Sequence, residues 1–232
     1  MRSISYRGYR FPPDIIQHGV WLYLRFALSF RDVEDLLAER GVVVSYETIR
    51  RWVAHFGPLI AADLHRRRCR PRAIWHLDEM VVSIAGKPMY LWRAVDAEGE
   101  VLEVLIRRKR DTRAAARLMR KLLKKQGFAP TEIVTDRLRS YGAAFRALGV
   151  SAQHIQGKRK NNRAESSHVP TRRRERRMQG FRSPGAAQRF LSTHAAAYNT
   201  FNLCRHLVSA KTHRRLRSEA IGVWRSAAGV TA

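Results

Sequence analysis

Three apolar runs follow one another in this chain with almost nothing between them. They span residues 74–84, 89–95 and 101–106, and the joints are Gly86-Lys87-Pro88 and Asp96-Ala-Glu-Gly99. Parallel strands need a crossover of a dozen or more residues, so joints this short force an antiparallel meander.

The pattern then changes period. Residues 112–125 carry Ala116, Met119, Leu122 and Leu123 at helical spacing and end near Gly127. Residues 132–135 follow as a fourth strand, and the helical crossover makes it parallel to its neighbour. A short helix over 140–148, a fifth strand over 152–155 and a helical remainder complete the series. Three antiparallel strands, then helix, strand, helix, strand, helix predict an α/β fold: a ribonuclease H-like mixed five-stranded sheet with flanking helices.

Three carboxylates stand out against that frame. Asp78 lies inside the first strand, Asp136 ends the fourth, and Glu165 precedes an arginine-rich stretch. Acids set into apolar strands are costly unless something offsets their desolvation. With the first and fourth strands side by side, Asp78 and Asp136 stand about 5 Å apart, and Glu165 from the next helix can join them. Three carboxylates that close need cations. Two divalent ions, Mg2+ or alternatively Mn2+, would suit such hard oxygen ligands and serve an in-line phosphoryl displacement. Strand alternation points Asp78 and Glu79 to opposite faces, so only one of them is expected in the cluster. Glu103, Asp111 and Glu132 read as turn, cap or surface residues, with Asp111 a helix N-cap.

Charge indicates the partner. Lys and Arg total 45 against 19 acids, a net +26, and residues 157–189 hold eleven of those bases against two acids. That density argues for a polyanion. Two cysteines exclude a disulfide scaffold, and His65, Cys69 and His76 lack the fourth ligand and spacing of a zinc site. The early apolar stretch 20–28 is short and broken by Arg25, so no membrane partner is expected. A cytoplasmic, nucleoid-associated protein fits this chemistry.

Residues 1–65 read as a small all-α domain. Pro12-Pro13 open one helix; Ser29 with Asp32 opens a second, ending at Gly41; Ser45 caps a third over 46–56, which Gly57-Pro58 should end. Helix, short turn, helix is the helix-turn-helix pattern, which an ordinary three-helix bundle shares. Tyr46, Glu47, Arg50 and Arg51 would be exposed, with Ile49, Trp52 and Val53 inward. Residues 66–72 form a basic linker in which Arg66, Arg67 and Arg68 could track a phosphate backbone. Residues 73–208 form the α/β domain, whose final helix spans 184–207. Residues 209–232 form a basic tail, an arm or a frayed end, with Trp224 isolated.

Four motifs in one order carry a specific resemblance: Trp75-His-Leu-Asp-Glu79, Tyr90-Leu-Trp-Arg-Ala-Val-Asp96, Thr135-Asp-Arg-Leu-Arg-Ser-Tyr141 and Asn161-Asn-Arg-Ala-Glu-Ser-Ser-His168. Together they resemble the bacterial DDE transposases of the insertion-sequence-six family. The resemblance implies that Asp78, Asp136 and Glu165 are the catalytic, metal-binding triad. It also implies that Arg172 is the basic residue that follows the glutamate. Arg137 stands where the family often has lysine, and Pro170 requires the helix around it to start nearby or to kink.

The implied activity is binding of terminal inverted repeats, metal-dependent DNA cleavage and strand transfer, with duplex DNA of transposon ends and target as partner. A homodimer or higher oligomer on DNA is expected. Further phosphate contacts fall to Arg137, Lys158, Arg159 and Lys160, and to Arg172, Arg173, Arg174, Arg176 and Arg177. His76 shares the face of Asp78 and could support it, and His168, three residues after Glu165, could contact DNA or a catalytic water, support the acids or pack. A non-catalytic DNA-binding repressor and a ribonuclease H-type nuclease are the competing readings.

Overall fold

The structure, a computed structural model, describes residues 4–157, 159–203 and 207–230. It divides into two compact units, one of residues 69–192 and one of residues 1–68 with 193–232.

The unit of residues 69–192 is built on a five-stranded sheet. Its strands are β1 (Ile74–Ile84), β2 (Lys87–Asp96), β3 (Val101–Arg107), β4 (Glu132–Thr135) and β5 (Gln153–Gln156), in the order β3-β2-β1-β4-β5. The first three form the expected antiparallel meander, and β4 lies parallel to both β1 and β5. This is the ribonuclease H-like arrangement. The turn between β1 and β2 is Ala85-Gly86, both with positive φ, and Lys87 already pairs with Ile84. Left-handed conformations at both positions match the twist of a two-residue hairpin, which is why the turn falls earlier than Gly86-Lys87-Pro88.

Helices α4 (Thr112–Gln126) and α5 (Arg139–Leu148) cover one face of the sheet. Trp75 and Leu77 of β1, Trp92 and Ala94 of β2 and Ile133 of β4 meet Leu118, Met119, Leu122, Tyr141 and Phe145 in the core there. Asp111 caps α4 by accepting the Ala114 N–H at 2.8 Å, and Gly127 ends it in the left-handed conformation. Glu103, expected at a turn or the surface, is instead buried. It accepts the Val104 N–H and pairs with Lys121 and Lys125, whose stems reach over it from α4.

Helix α6 (Asn162–Arg177) contacts β1 and β2. Pro170 neither starts nor ends it. Proline removes one intrahelical bond, but Ala164, Ser167, His168, Thr171 and Arg174 are buried on both sides of it, and that packing holds the helix together. Helix α7 (Pro184–Phe201) stops short of the expected 207.

The other unit contains α1 (Pro13–Arg25), α2 (Phe30–Ala38), α3 (Tyr46–Arg67) and α8 (Ala210–Ala227). Ser29 and Asp32 form the expected capping box of α2. Helix α3 does not stop at Gly57-Pro58, because Ile60, Ala61 and Leu64 continue its buried stripe for two more turns. Gly57 leaves room for the Thr193 methyl, which a Cβ would meet at 3.2 Å. Arg66 and Arg67 thus belong to a helix and pair with Asp63, so the linker is shorter than expected. Residues 210–227 are no frayed tail but a helix. Trp224 of α8 is buried and donates its indole N–H to Gln17 of α1 at 2.8 Å. Tyr6 stacks on Phe56, its hydroxyl donates to the Ala228 carbonyl at 2.7 Å, and burial pushes its pKa up to about 12.

Candidate active site

The parallel ladder of β1 and β4 ends at the pair Leu77↔Thr135. The next residue on each strand is an aspartate, so Asp78 and Asp136 emerge together at the carboxyl ends of the central strands. Open α/β sheets place their sites there. The Asp136 turn is fixed by its own carboxylate, whose Oδ1 accepts the Leu138 N–H at 2.9 Å.

A third element brings Glu165. From β5 the chain passes Gly157 and a 3-10 turn, Arg159–Asn161, into α6. Asn161 is fully buried and its amide donates to the Leu77 carbonyl at 2.9 Å. That bond ties the start of α6 to β1 one residue from Asp78. Glu165 then lies exposed in the first turn of the helix. Asp78, Asp136 and Glu165 line one cavity of about 770 Å³, shared with Arg137, Gln156, Gly157, Arg159 and Lys160. One set of walls is acidic and another basic, a fit for phosphate bridged to cations.

Glu79 corrects the expectation that strand alternation keeps it out of the cluster. Its side chain does leave on the α5 face, where Tyr141 donates to it at 2.8 Å. Yet β4 has ended at Thr135, so nothing screens the two faces from each other at that level. Carboxylate oxygens of Asp78, Glu79 and Asp136 lie within 4.8 Å of one another. Burial raises the Glu79 pKa, opposed by the Tyr141 hydroxyl and Arg110. Tyr141, wholly enclosed and facing Glu79, is pushed well above the ordinary phenol range. Three oxygen donors so close fit a hard divalent cation.

The opposite face of β1 packs against α6. His168 Nε2 stands 3.2 Å from Asp78 Oδ2, outside good hydrogen-bond geometry. His76, two residues before Asp78 on the same face, is half-buried, and burial lowers its pKa. Arg93 pairs in register with Asp78 from β2 and is buried, donating to Thr171 of α6 at 2.8 Å. Arg93, Arg110 and Asn161 contribute to this site without any sequence pattern that singles them out for it, although Arg93 and Asn161 lie inside the motifs that carry the resemblance. A lone arginine in an apolar strand is the available hint for Arg93.

Among the residues expected to contact DNA, Tyr46, Arg50, Arg51 and Arg68 sit at the two ends or on the exposed side of α3, with Ile49, Trp52 and Val53 inward. Arg50 is paired with Glu47. Arg173, Arg176 and Arg177 are exposed on α6. Arg174 is not: it is 2% exposed, its guanidinium 5.3 Å from the Phe190 ring centroid, on the buried stripe of the helix. Arg172 donates to the Val81 carbonyl at 2.6 Å and pairs with Glu175, held against β1 rather than lining the acidic cavity. Lys158 lies outside the described residues. Among the described residues, no helix is long and apolar enough to cross a membrane.

Acids converging at the carboxyl ends of the central parallel pair, in a cavity with basic walls, suit metal-dependent chemistry on phosphodiesters. Residues 72–203 match the family model described as a DDE domain. The transposase for insertion sequence-like element IS431mec of Staphylococcus aureus is 34% identical over 179 residues, covering 75% of this chain and 80% of that protein. The transposase for insertion sequence element IS257 in transposon Tn4003, also from Staphylococcus aureus, matches to the same extent. Among solved structures, the catalytic core domain of BIV integrase aligns at 14% identity and a TM-score of 0.40, over 57% of this chain and 85% of that one. The HTLV-2 integrase catalytic core domain in complex with magnesium aligns at 13% identity and 0.41, over 58% and 88%. The chain belongs to the DDE insertion-sequence transposases, whose activity is DNA cleavage and strand transfer in transposition.

Proposed function

We propose that Asp78, Asp136 and Glu165 are the catalytic acids and hold two divalent ions, Mg2+ or Mn2+. The observation that carries this is their meeting in one cavity from β1, the end of β4 and the first turn of α6. Glu79 is the competing carboxylate, but its side chain is 2% exposed and engaged by Arg110 and Tyr141, whereas Glu165 is exposed on α6 and lines the cavity. Bound ions would supply activation of the attacking oxygen and stabilisation of the leaving one. The protein's part is to fix the three acids, with Asn161 anchoring the helix that carries Glu165. Arg137, Arg159 and Lys160 would then hold the scissile strand's phosphates against the acids.

In this reading, water cuts at the element's end and leaves a 3′-hydroxyl, which then attacks a target phosphodiester. No protein nucleophile is required. The helix pair α2 and α3 is a helix-turn-helix that recognises the terminal inverted repeats, with Tyr46, Arg50 and Arg51 exposed for the task. Residues 73–208 carry the catalysis, the protein acts as a homodimer or higher oligomer on duplex DNA, and it resides in the cytoplasm on the nucleoid. Incubation with end-containing duplex and Mg2+ should give cleavage that Asp78→Asn, Asp136→Asn and Glu165→Gln each abolish while DNA binding survives. Cleavage by all three variants would overturn the assignment.

A further inference from the structure

Arg110 precedes the cap of α4 and lies outside every motif that identified the family. Its Nε donates to Glu79 Oε1 at 2.5 Å and its Nη2 to Asp136 Oδ2 at 3.2 Å. The remaining oxygens of both acids are also engaged, Glu79 Oε2 by Tyr141 and Asp136 Oδ1 by the Leu138 N–H. The guanidinium therefore joins two acids whose oxygens fall within 4.8 Å of each other and of Asp78.

We propose that Arg110 is the internal countercharge of the metal site. It occupies the Asp136 oxygen that a divalent cation would take, and in the metal-free protein it keeps Glu79 and Asp136 together. The proposal rests on reading Asp136 as a metal ligand. Carboxylates so close repel unless a cation lies between them, and the planar guanidinium fork can serve two of them at once. Its side chain is 42% exposed, while that of Glu79 is 2% exposed. An arriving ion can therefore displace the exposed arm from Asp136 without exposing Glu79. Arg110 is a positioning residue: it sets the carboxylate in place before the ion arrives and competes with the ion for it. Competition by one positive charge a few ångströms away weakens dication binding by about tenfold.

The test is thermal unfolding of the full chain titrated with Mn2+, supported by electron paramagnetic resonance of bound Mn2+. Without metal, Arg110→Gln should melt below the wild type. With Mn2+ it should gain more, its apparent affinity about tenfold tighter. Arg110→Lys, which keeps the charge but not the fork, should fall between. Affinity in Arg110→Gln equal to or weaker than wild type would overturn the proposal. If that variant does not fold, Arg110→Lys decides, and wild-type affinity there is equally fatal. Binding that Asp136→Asn abolishes but Arg110→Gln leaves unchanged overturns the role of Arg110 alone. Binding that is absent in the wild type, or indifferent to Asp136→Asn, overturns the metal-site reading and this one with it.

Discussion

Two glutamates compete for the third corner of the acidic site, and amide replacements separate them. Glu165 is exposed on the first turn of α6, so Glu165→Gln should change stability by no more than about 0.5 kcal/mol. On the proposed assignment it also removes an anionic metal ligand, and several kcal/mol of transition-state stabilisation would go with it. At about 1.4 kcal/mol per tenfold, cleavage should fall by about a thousandfold or more. Glu79 behaves differently. Its raised pKa means that burial disfavours the ionised form by more than Arg110 and Tyr141 return. The neutral glutamine should therefore leave the metal-free protein as stable as wild type or slightly more so at neutral pH. The sign follows from linkage: a carboxyl with a raised folded-state pKa loses stability as pH climbs from the ordinary carboxylate range through the raised value, and Glu79→Gln removes that slope. Activity should drop by about 10–100-fold, the usual cost of disturbing a group that orients a ligand. The assay is single-turnover cleavage of end-containing duplex, with denaturant unfolding at several pH values. A thousandfold loss in Glu79→Gln beside near-wild-type cleavage in Glu165→Gln would show that Glu79 is the ligand.

Other changes probe the supports of the site. Asn161→Ala removes the buried bond to Leu77 and should cost about 1–3 kcal/mol in denaturant unfolding, with a larger loss of cleavage than of DNA binding. Trp224→Ala should destabilise the unit of residues 1–68 and 193–232 by about 3–5 kcal/mol, seen as loss of near-ultraviolet dichroism; a truly frayed end would show no change. Arg173→Ala and Arg176→Ala should each lower the salt dependence of DNA binding by about one counterion, whereas the buried Arg174→Ala should act on the melting temperature instead.

Where sequence and structure agree, several local signals point the same way. Both ends of β1 and of β4 were legible because apolar alternation, β-branched residues and flanking turns coincide there. Pro58 misled because proline's local preference is weaker than a buried stripe that continues past it. The stripe on α6 consists of Ala164, Ser167, His168, Thr171 and Arg174, mostly polar residues that give no apolar periodicity to read. Sequence pattern alone therefore groups Arg174 with its exposed neighbours. Alternation assigned Glu79 to the correct face, but the end of β4, which lets its carboxylate reach Asp78 and Asp136, is a property of pairing. Ala220, Trp224 and Ala227 do stand at helical spacing, and that pattern was the overlooked sign that α8 packs.

The burial of Trp224 against Gln17 also sets an order of events during synthesis. The unit of residues 69–192 is a continuous piece of chain, able to close as soon as it is made. The other unit draws its core from both sides of that piece, so α1 and α3 must wait for α8. A chain cut before Ala210 would keep the residues of the acidic cluster but lack the helix that covers α1 and α3.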